Sequence, residues 1–234
     1  MQQALSSIFN EALHYGKVPE QFLSTAIVPI YKKGSTNCWG NYRGISLMSV
    51  TAKLYDRLLL DRIRTVVDRY LRSTQNGFRQ GRSTVHHVLA IRRIVEGCNT
   101  HALKCVATFI DFSKAFDSVY HVHLEAILAA YRVPQQIIAA IMPMYKEHSA
   151  RVVTPFGETG DIEIRRGVLQ GDTLSPYCFI LVLDWVFRMA VPEEVADLGF
   201  LVRERTGKRT RGQPALYITE AAYADDIALL RRSC

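Results

Sequence analysis

The sequence predicts an α+β fold, in which strands alternate with helices of unequal length and not with the regular helices of a parallel βαβ winding. Three observations predict it. Several apolar runs have strand length, helices with one apolar face separate them, and no internal repeat, low-complexity tract or long linker interrupts the chain. With 234 residues and 48% hydrophobic side chains, the chain can bury a substantial core as one large domain or as two lobes.

The N-terminal part is predicted to be mainly helical, each element being defined by its apolar spacing and by a capping or stop residue. The expected elements are a helix through Leu5 and Leu13 that stops at Gly16, a strand over 25–31, a long helix over about 50–71, and a helix capped by Ser83 or Thr84 that ends at Gly97. In the long helix, Asp56 and the neighbouring Arg and Asp residues are expected to form a solvated charged face.

The C-terminal part is predicted to alternate between strands and helices. The expected elements are a strand over 104–110, helices over about 118–132 and 135–147 with a break at Pro143, a hairpin over 151–164, a buried helix over 177–189, a basic turn centred on Gly207 between Arg203 and Arg211, and two short buried strands around residues 225 and 226. The basic turn is either solvated or in contact with a nucleic acid.

Two adjacent carboxylates, Asp225 and Asp226, stand between short apolar runs near the C-terminus. A tight turn between two buried strands would present both carboxylates together, where their charges repel. A divalent cation relieves that repulsion, and Mg²⁺ usually binds through one or two carboxylates and substrate phosphates. The alternative is a solvated Asp-Asp turn. Asp111, at the end of another apolar strand, is a second candidate metal ligand.

A pair of metal ions on such carboxylates points to phosphoryl chemistry. Two ions roughly 3.5 to 4 Å apart activate a hydroxyl, neutralise the charge of the transition state and stabilise the leaving group. The protein then mainly positions the reactants, so no nucleophilic Ser, Cys or His is needed. The seven histidines show no metal-ligand spacing and are expected to be structural or exposed.

Five segments, in their order and wording, resemble the palm and fingers of reverse transcriptases, most closely those of non-LTR (LINE-like) retrotransposons. They are Asn41–Leu47 (NYRGISL), Gln75–Thr84 (QNGFRQGRST), Asp111–Asp117 (DFSKAFD), Arg166–Pro176 (RGVLQGDTLSP) and Ala222–Leu230 (AYADDIALL). The resemblance runs from about Ser24 to Leu230. It implies RNA-directed DNA polymerase activity within a right-hand architecture that has helical fingers and a palm with an antiparallel sheet.

The resemblance also implies roles for individual residues. Asp111 and Asp225 would bridge two Mg²⁺ ions, with Asp226 completing the site and Mn²⁺ able to substitute. Phe116 would lie under the incoming sugar and exclude a 2′-hydroxyl. The implied contacts of the deoxynucleoside triphosphate are Lys32, Lys33, Arg43, Phe116 and Gln170, and those of template or primer are Gly171, Tyr223, Arg79 and Arg82. Arg79 and Arg82 either bind template phosphates or brace their own loop.

Further expectations follow from the same resemblance. Residues 1–103 would form an N-terminal helix and the fingers region, and residues 104–234 the palm, partly interleaved and ending before a thumb. The partners would be an RNA template, a DNA primer and deoxynucleoside triphosphates. The protein would be nuclear or associated with a ribonucleoprotein. The alternatives are a catalytically inactive nucleic-acid-binding remnant and an RNA-dependent RNA polymerase, against which Phe116 argues.

Composition agrees with this reading. The net charge of +7, from 29 Lys plus Arg against 22 Asp plus Glu, suits a polyanionic partner and predicts salt-dependent binding. Five cysteines without a Cys-x-x-Cys pair indicate free thiols in a reducing, intracellular compartment. The most apolar stretch, Tyr177 to Leu183, is too short to cross a bilayer, and no signal peptide is visible.

Overall fold

The computed structural model describes residues 2–190, 199–203 and 216–232. The chain divides into two compact units, each built from two stretches of sequence. Unit 1 comprises Met1–Tyr70 and Lys114–Val182, and unit 2 comprises Leu71–Ser113 and Leu183–Cys234. A boundary between residues 103 and 104, as the sequence suggests, falls inside unit 2.

Seven helices and ten strands are present in the described residues. The helices are α1 (Gln2–Tyr15), α2 (Val50–Val67), α3 (Thr84–Thr100), α4 (His121–Ala130), α5 (Gln135–Ile141), α6 (Pro143–Lys146) and α7 (Ser175–Ala190). The strands are β1 (Ser24–Tyr31), β2 (Tyr42–Leu47), β3 (Cys105–Ile110), β4 (Ser149–Thr154), β5 (Gly157–Glu158), β6 (Ile162–Glu163), β7 (Phe200–Arg203), β8 (Leu216–Ile218), β9 (Glu220–Tyr223) and β10 (Asp226–Arg232).

Unit 1 combines a mixed sheet with a helical core. The sheet has the order β2-β1-β4-β5, with β6 also paired to β4, and β1 runs antiparallel to β2 but parallel to β4. Helix α2 begins at Ser49, whose side chain accepts a hydrogen bond from the Ala52 amide at 3.2 Å. The largest fully buried side chains come mainly from α2, α4, α5 and α7; they include Tyr55, Leu59, Ile63, Leu124, Leu128, Ile138, Ile141, Tyr177, Ile180 and Leu181.

Unit 2 contains an antiparallel sheet of order β3-β10-β9 and the separate pair β7-β8. Leu230 on β10 and Ile94 on α3 are buried together, with Cys98, Leu103, Cys105 and Ile218 packed against them. Helix α3 begins with a capping box between Ser83 and His86. The first part of α7, through Val182, belongs to unit 1, and its last part belongs to unit 2.

Most expected elements are confirmed, with shifts at their ends. Helix α3 continues past Gly97 to Thr100, and the helix expected from residue 118 begins at His121 after a 3-10 turn over Phe116–Ser118. Apart from Arg203, the basic turn around Gly207 lies outside the described residues. No helix in the described part of the chain is long and apolar enough to span a membrane.

The prediction of a solvated charged face on α2 is wrong for Asp56, whose side chain is 0% exposed. Asp56 lies four residues after Ala52 and three before Leu59, which are both buried. Residues at these spacings share one helix face. The buried stripe of α2 is therefore wide enough to include a carboxyl group.

Candidate active site

The paired aspartates lie at a hairpin turn between β9 and β10. Tyr223 pairs with Asp226, so Ala224 and Asp225 form a two-residue loop. Ala224 has φ +55°, and positive φ at the first central residue is typical of tight hairpin turns. A residue with a Cβ atom adopts this left-handed backbone conformation at a free-energy cost of roughly 1–2 kcal/mol. Contacts outside the turn must therefore hold it.

Asp111 lies at the same end of the sheet. It directly follows Ile110, the last residue of β3, and Ile110 pairs with Ile227, the residue next to Asp226. Asp111 and Asp226 are exposed, and Asp225 is half-buried. Unit 2 therefore places all three carboxylates that the sequence singles out at one end of its antiparallel sheet.

These carboxylates are candidate ligands for a divalent cation. Within the described residues, no hydrogen-bond donor or cation pairs with any of the three. No three or more His, Cys, Asp or Glu side chains within the described residues are arranged to hold a metal ion by themselves. Mg²⁺ typically binds through a few carboxylates while keeping waters and substrate phosphates as its remaining ligands. An open set of unpaired aspartates at one sheet end has this character.

The turn at Gln170 and Gly171 belongs to unit 1, where it packs against β2. The Ser46 amide donates a hydrogen bond to the Gln170 carbonyl at 2.7 Å. Gly171 has φ +122°, and a Cβ atom there would lie 2.5 Å from the Ser46 carbonyl oxygen. The sequence attributes the glycine to close approach of a template. The structure supplies a second reason, because the backbone of β2 already excludes a side chain.

Asp172, next to this turn, caps α7 with a buried carboxylate. It accepts hydrogen bonds from the amides of Leu174 at 3.1 Å and Ser175 at 2.9 Å, and from the Ser175 hydroxyl at 2.6 Å. Burial, followed by the adjacent charge of Asp172, raises the pKa of Asp56 to about 10. Asp56 is therefore neutral at pH 7, and neither of its carboxyl oxygens has a hydrogen-bond partner among the described residues.

His148 is buried in the same unit and has neither ring nitrogen hydrogen-bonded among the described residues. Burial lowers its pKa to about 4, which the nearby Asp172 only partly offsets. His148 is thus neutral at pH 7. The sequence predicts that each histidine is either structural or exposed, and His148, which is buried, agrees with the first alternative.

Two contacts hold Phe116: its ring stacks on another aromatic ring, and its backbone carbonyl accepts a hydrogen bond. Its ring stacks on Phe179 of α7, with centroids 4.6 Å apart and an angle of 14° between the planes. The Val168 amide donates to the Phe116 carbonyl at 2.9 Å. Phe179 is buried, so the stacked pair has a fixed base. The sequence singles out Phe116 but gives no indication of its partner.

Lys32, Lys33 and Arg43 are exposed around the connection between β1 and β2. The Lys32 amide donates to the Asn41 carbonyl at 2.8 Å, which closes this connection. None of the three cations forms an ion pair with a described residue. Their charges are therefore available to an anion.

Arg79 and Arg82 brace their own loop. The Arg79 guanidinium is buried and donates to the carbonyls of Arg72 at 2.8 Å and Gln75 at 3.0 Å. Arg82 donates to the Ser73 carbonyl and to the Asn76 side chain, at 2.6 and 2.8 Å. Of the two roles that the sequence leaves open, these contacts favour bracing over template phosphates.

Tyr223, the remaining residue assigned to template or primer, is half-buried at the end of β9. Its ring meets that of His87 edge to face, with centroids 6.2 Å apart. Gln75, to which the sequence gives no role, contacts the Ala224 turn directly. Only its place in the QNGFRQGR segment could have drawn attention to it.

An antiparallel sheet with unpaired carboxylates at one end, in an α+β chain, defines a candidate nucleotidyl-transfer enzyme that uses divalent metal ions. The chain belongs to the reverse transcriptase family: residues 30–233 match the family described as "Reverse transcriptase (RNA-dependent DNA polymerase)". Members of this family use divalent metal ions.

Relatives from non-LTR retrotransposons match nearly the whole chain. It is 30% identical over 239 residues to a probable RNA-directed DNA polymerase from transposon BS of Drosophila melanogaster, which covers 98% of this chain and 24% of the relative. It is 27% identical over 230 residues to the Pol polyprotein of the R2 element of Nasonia vitripennis, covering 98% and 21%. The chain thus spans less than a quarter of either relative. The predicted resemblance to non-LTR reverse transcriptases is confirmed.

Solved structures agree on the fold. Telomerase from Candida tropicalis, in complex with a fragment of telomeric RNA, superposes with a TM-score of 0.57 at 13% identity, covering 99% of this chain and 40% of the telomerase chain. A truncated apo form gives 0.55 at 15% identity, covering 97% and 48%. The predicted α+β fold of the right-hand polymerase class is therefore confirmed.

Proposed function

We propose that this chain carries the RNA-directed DNA polymerase site of a non-LTR retrotransposon protein, which adds deoxynucleotides to a DNA primer on an RNA template. The observation that carries the proposal is the set of three unpaired carboxylates, Asp111, Asp225 and Asp226, at one end of the antiparallel sheet. The family match over residues 30–233 supports the choice of reaction.

The three aspartates would hold two Mg²⁺ ions. When bound, such ions lower the pKa of the primer 3′-hydroxyl and neutralise charge on the triphosphate. The chain contributes the position of the ligands, because β3, β9 and β10 fix the backbone of all three carboxylates. Since phosphoryl transfer leaves little covalent work to side chains, this fixed arrangement is the main catalytic contribution of the protein.

Unit 1 would bind the nucleotide. Lys32, Lys33 and Arg43 are exposed cations that form no ion pair with a described residue, so their charges can bind a triphosphate. The stacked Phe116 would lie beneath the sugar and reject a 2′-hydroxyl, and Gln170 would border the new base pair. Gly171 and Tyr223 would approach the template or primer.

Primer extension tests the proposal with the Asp225→Asn variant. We expect the 234-residue chain with Mg²⁺, an RNA template, a DNA primer and deoxynucleoside triphosphates to extend the primer. We expect Asp225→Asn to lower the rate by at least about 100-fold, more than loss of a supporting contact at a metal site usually costs. RNA affinity should stay within about twofold.

Asp161→Asn is the matched control, because it makes the same change of charge at an exposed loop position in unit 1. It should extend primers like the unchanged chain. Equal extension by the Asp225 variant and the unchanged chain would refute the catalytic proposal. RNA binding with no extension by either protein would instead support the inactive remnant.

A further inference from the structure

The turn that presents Asp225 and Asp226 is contacted by residues Thr74–Gly77, which we call the supporting segment. This segment lies in unit 2 and forms a parallel bridge between Gln75 and Ala222 of β9. The Asn76 amide donates to the Ala222 carbonyl at 2.9 Å, and the Ala222 amide donates to the Thr74 carbonyl at 3.1 Å. The supporting segment therefore holds the strand that leads into the turn.

The Gln75 side chain reaches the turn itself. Its Nε2 donates to the Ala224 carbonyl at 3.2 Å, and its Oε1 accepts from the Ala224 amide at 3.0 Å. The same Oε1 accepts from the Gly77 amide at 2.8 Å. One carboxamide thus satisfies both backbone groups of the residue that has the unfavourable φ. Because two backbone amides donate to the same atom, that atom must be the carboxamide oxygen and not the nitrogen, which settles the orientation of the Gln75 side chain.

This role needs a glutamine side chain. Gln75 is 1% exposed, so any backbone group it left unpaired would lack water as a substitute partner. A carboxylate of the same length accepts hydrogen bonds but cannot donate one to the Ala224 carbonyl, and an alanine does neither. Backbone contact is equally tight at Gly77, where a Cβ atom would lie 2.2 Å from the Ala224 nitrogen.

The supporting segment is itself anchored. Arg79 donates to the Gln75 carbonyl at 3.0 Å, and the Thr74 hydroxyl donates to Glu220 of β9 at 2.7 Å. Arg72, just before the segment, forms ion pairs with Glu220 at 2.8 Å and with Asp184 at 2.9 Å. These contacts fix the Gln75 side chain relative to the strand whose turn it holds.

We infer that Gln75 is a positioning residue for the metal-binding carboxylates: its carboxamide holds Ala224 in the left-handed conformation that orients Asp225 and Asp226. The inference rests on the proposed function for its catalytic consequence, but the contact with Ala224 does not depend on it. Small errors in the position of reacting groups are costly in catalysis, so loss of this support should affect metal binding and turnover.

Hydrogen exchange at the Ala224 amide, measured by NMR on the 234-residue chain, tests the contact directly. Gln75→Ala should raise the exchange rate at least tenfold, because the amide loses its acceptor. Gln75→Glu, which keeps an acceptor, should raise it less and serves if the alanine variant fails to fold. Gln80→Ala is the matched control, since it makes the same change at an exposed position of the same loop. Equal exchange in the unchanged chain and Gln75→Ala would overturn the inference.

Binding of Mn²⁺, followed by the electron paramagnetic resonance of the free ion, tests the consequence. We expect Gln75→Ala to weaken Mn²⁺ binding at least about threefold and Gln80→Ala to leave the affinity within a factor of about 1.5. Adding Ala224→Gly should recover part of the loss, because glycine adopts positive φ without strain. No recovery, or equal weakening by Gln80→Ala, would refute positioning through Ala224.

The same assays separate this inference from the proposed function. If Ala224 exchange responds to Gln75→Ala and Mn²⁺ affinity falls, positioning holds even where primer extension fails. If primer extension succeeds while Gln75→Ala changes neither exchange nor Mn²⁺ affinity, the inference fails and the proposed function stands.

Discussion

Replacing Asp56 by asparagine should stabilise the protein at neutral pH. Burial and Asp172 raise the pKa of Asp56 from 3.8 to about 10. Below pH 3.8 the carboxyl group is protonated in the folded and unfolded chains, so its full contribution to stability is present. Above that pH only the unfolded chain ionises, and stability falls by about 1.36 kcal/mol per pH unit until the folded carboxyl group also ionises.

The size of the effect follows from these two pKa values. At pH 7 the solution is about 3 pH units above the pKa of the carboxyl group in the unfolded chain. Keeping the group protonated in the folded chain therefore lowers the free energy of unfolding by up to about 4 kcal/mol. Asparagine removes this cost, because its side-chain amide cannot ionise. The difference between Asp56→Asn and the unchanged chain should therefore grow steadily between pH 5 and pH 8.

Urea denaturation followed by circular dichroism at several pH values measures this difference. Asp61→Asn is the control, because Asp61 lies on the exposed side of the same helix and forms ion pairs with Arg57 and Arg64 at the surface. Exposed ion pairs contribute at most about 1 kcal/mol. An Asp56→Asn variant that is no more stable than the unchanged chain at pH 7, or a difference that does not change with pH, would refute the reasoning.

Two further predictions concern unit 1. Gly171→Ala should lower the free energy of unfolding by at least about 2 kcal/mol without any nucleic acid present, because the added Cβ would lie 2.5 Å from the Ser46 carbonyl oxygen. Gly157→Ala is the control, because Gly157 also has positive φ but the structure shows no atom within 4 Å of its added Cβ. It should lower the free energy of unfolding by less in the same urea titration. Phe116→Ala should raise incorporation of ribonucleotides in primer extension, and Phe179→Leu, which removes the stacked ring, should do so more weakly. Unchanged discrimination between the two sugars in Phe116→Ala would count against the assigned role.

The carboxylate hairpin could be predicted from sequence because its signals are local. Apolar runs of strand length flank Asp225 and Asp226, and a third apolar run ends at Asp111. Antiparallel pairing of these strands then places the three carboxylates at one end of the sheet. The family resemblance adds roles to residues that the pattern already isolates.

What the sequence did not reveal depends on contacts between distant segments. Asp56 reads as part of a charged face, because its neighbour Asp172 lies over a hundred positions further along the chain. Gln75 and Ala224 are also far apart in the sequence. The Gln75 side chain bonds to the backbone of Ala224, so the type of residue at position 224 does not indicate the contact. Periodicity identifies a helix face but cannot show which element covers it.

The hydrogen bond between the Ser46 amide and the Gln170 carbonyl has a mechanical consequence within unit 1. Strand β2 carries Arg43, the proposed triphosphate contact, so a shift of that strand on nucleotide binding would be passed to the Gln170 turn through the main chain alone. Such a linkage survives replacement of either side chain. It is broken only by substitutions that change the backbone, namely proline at position 46 or any residue larger than glycine at position 171.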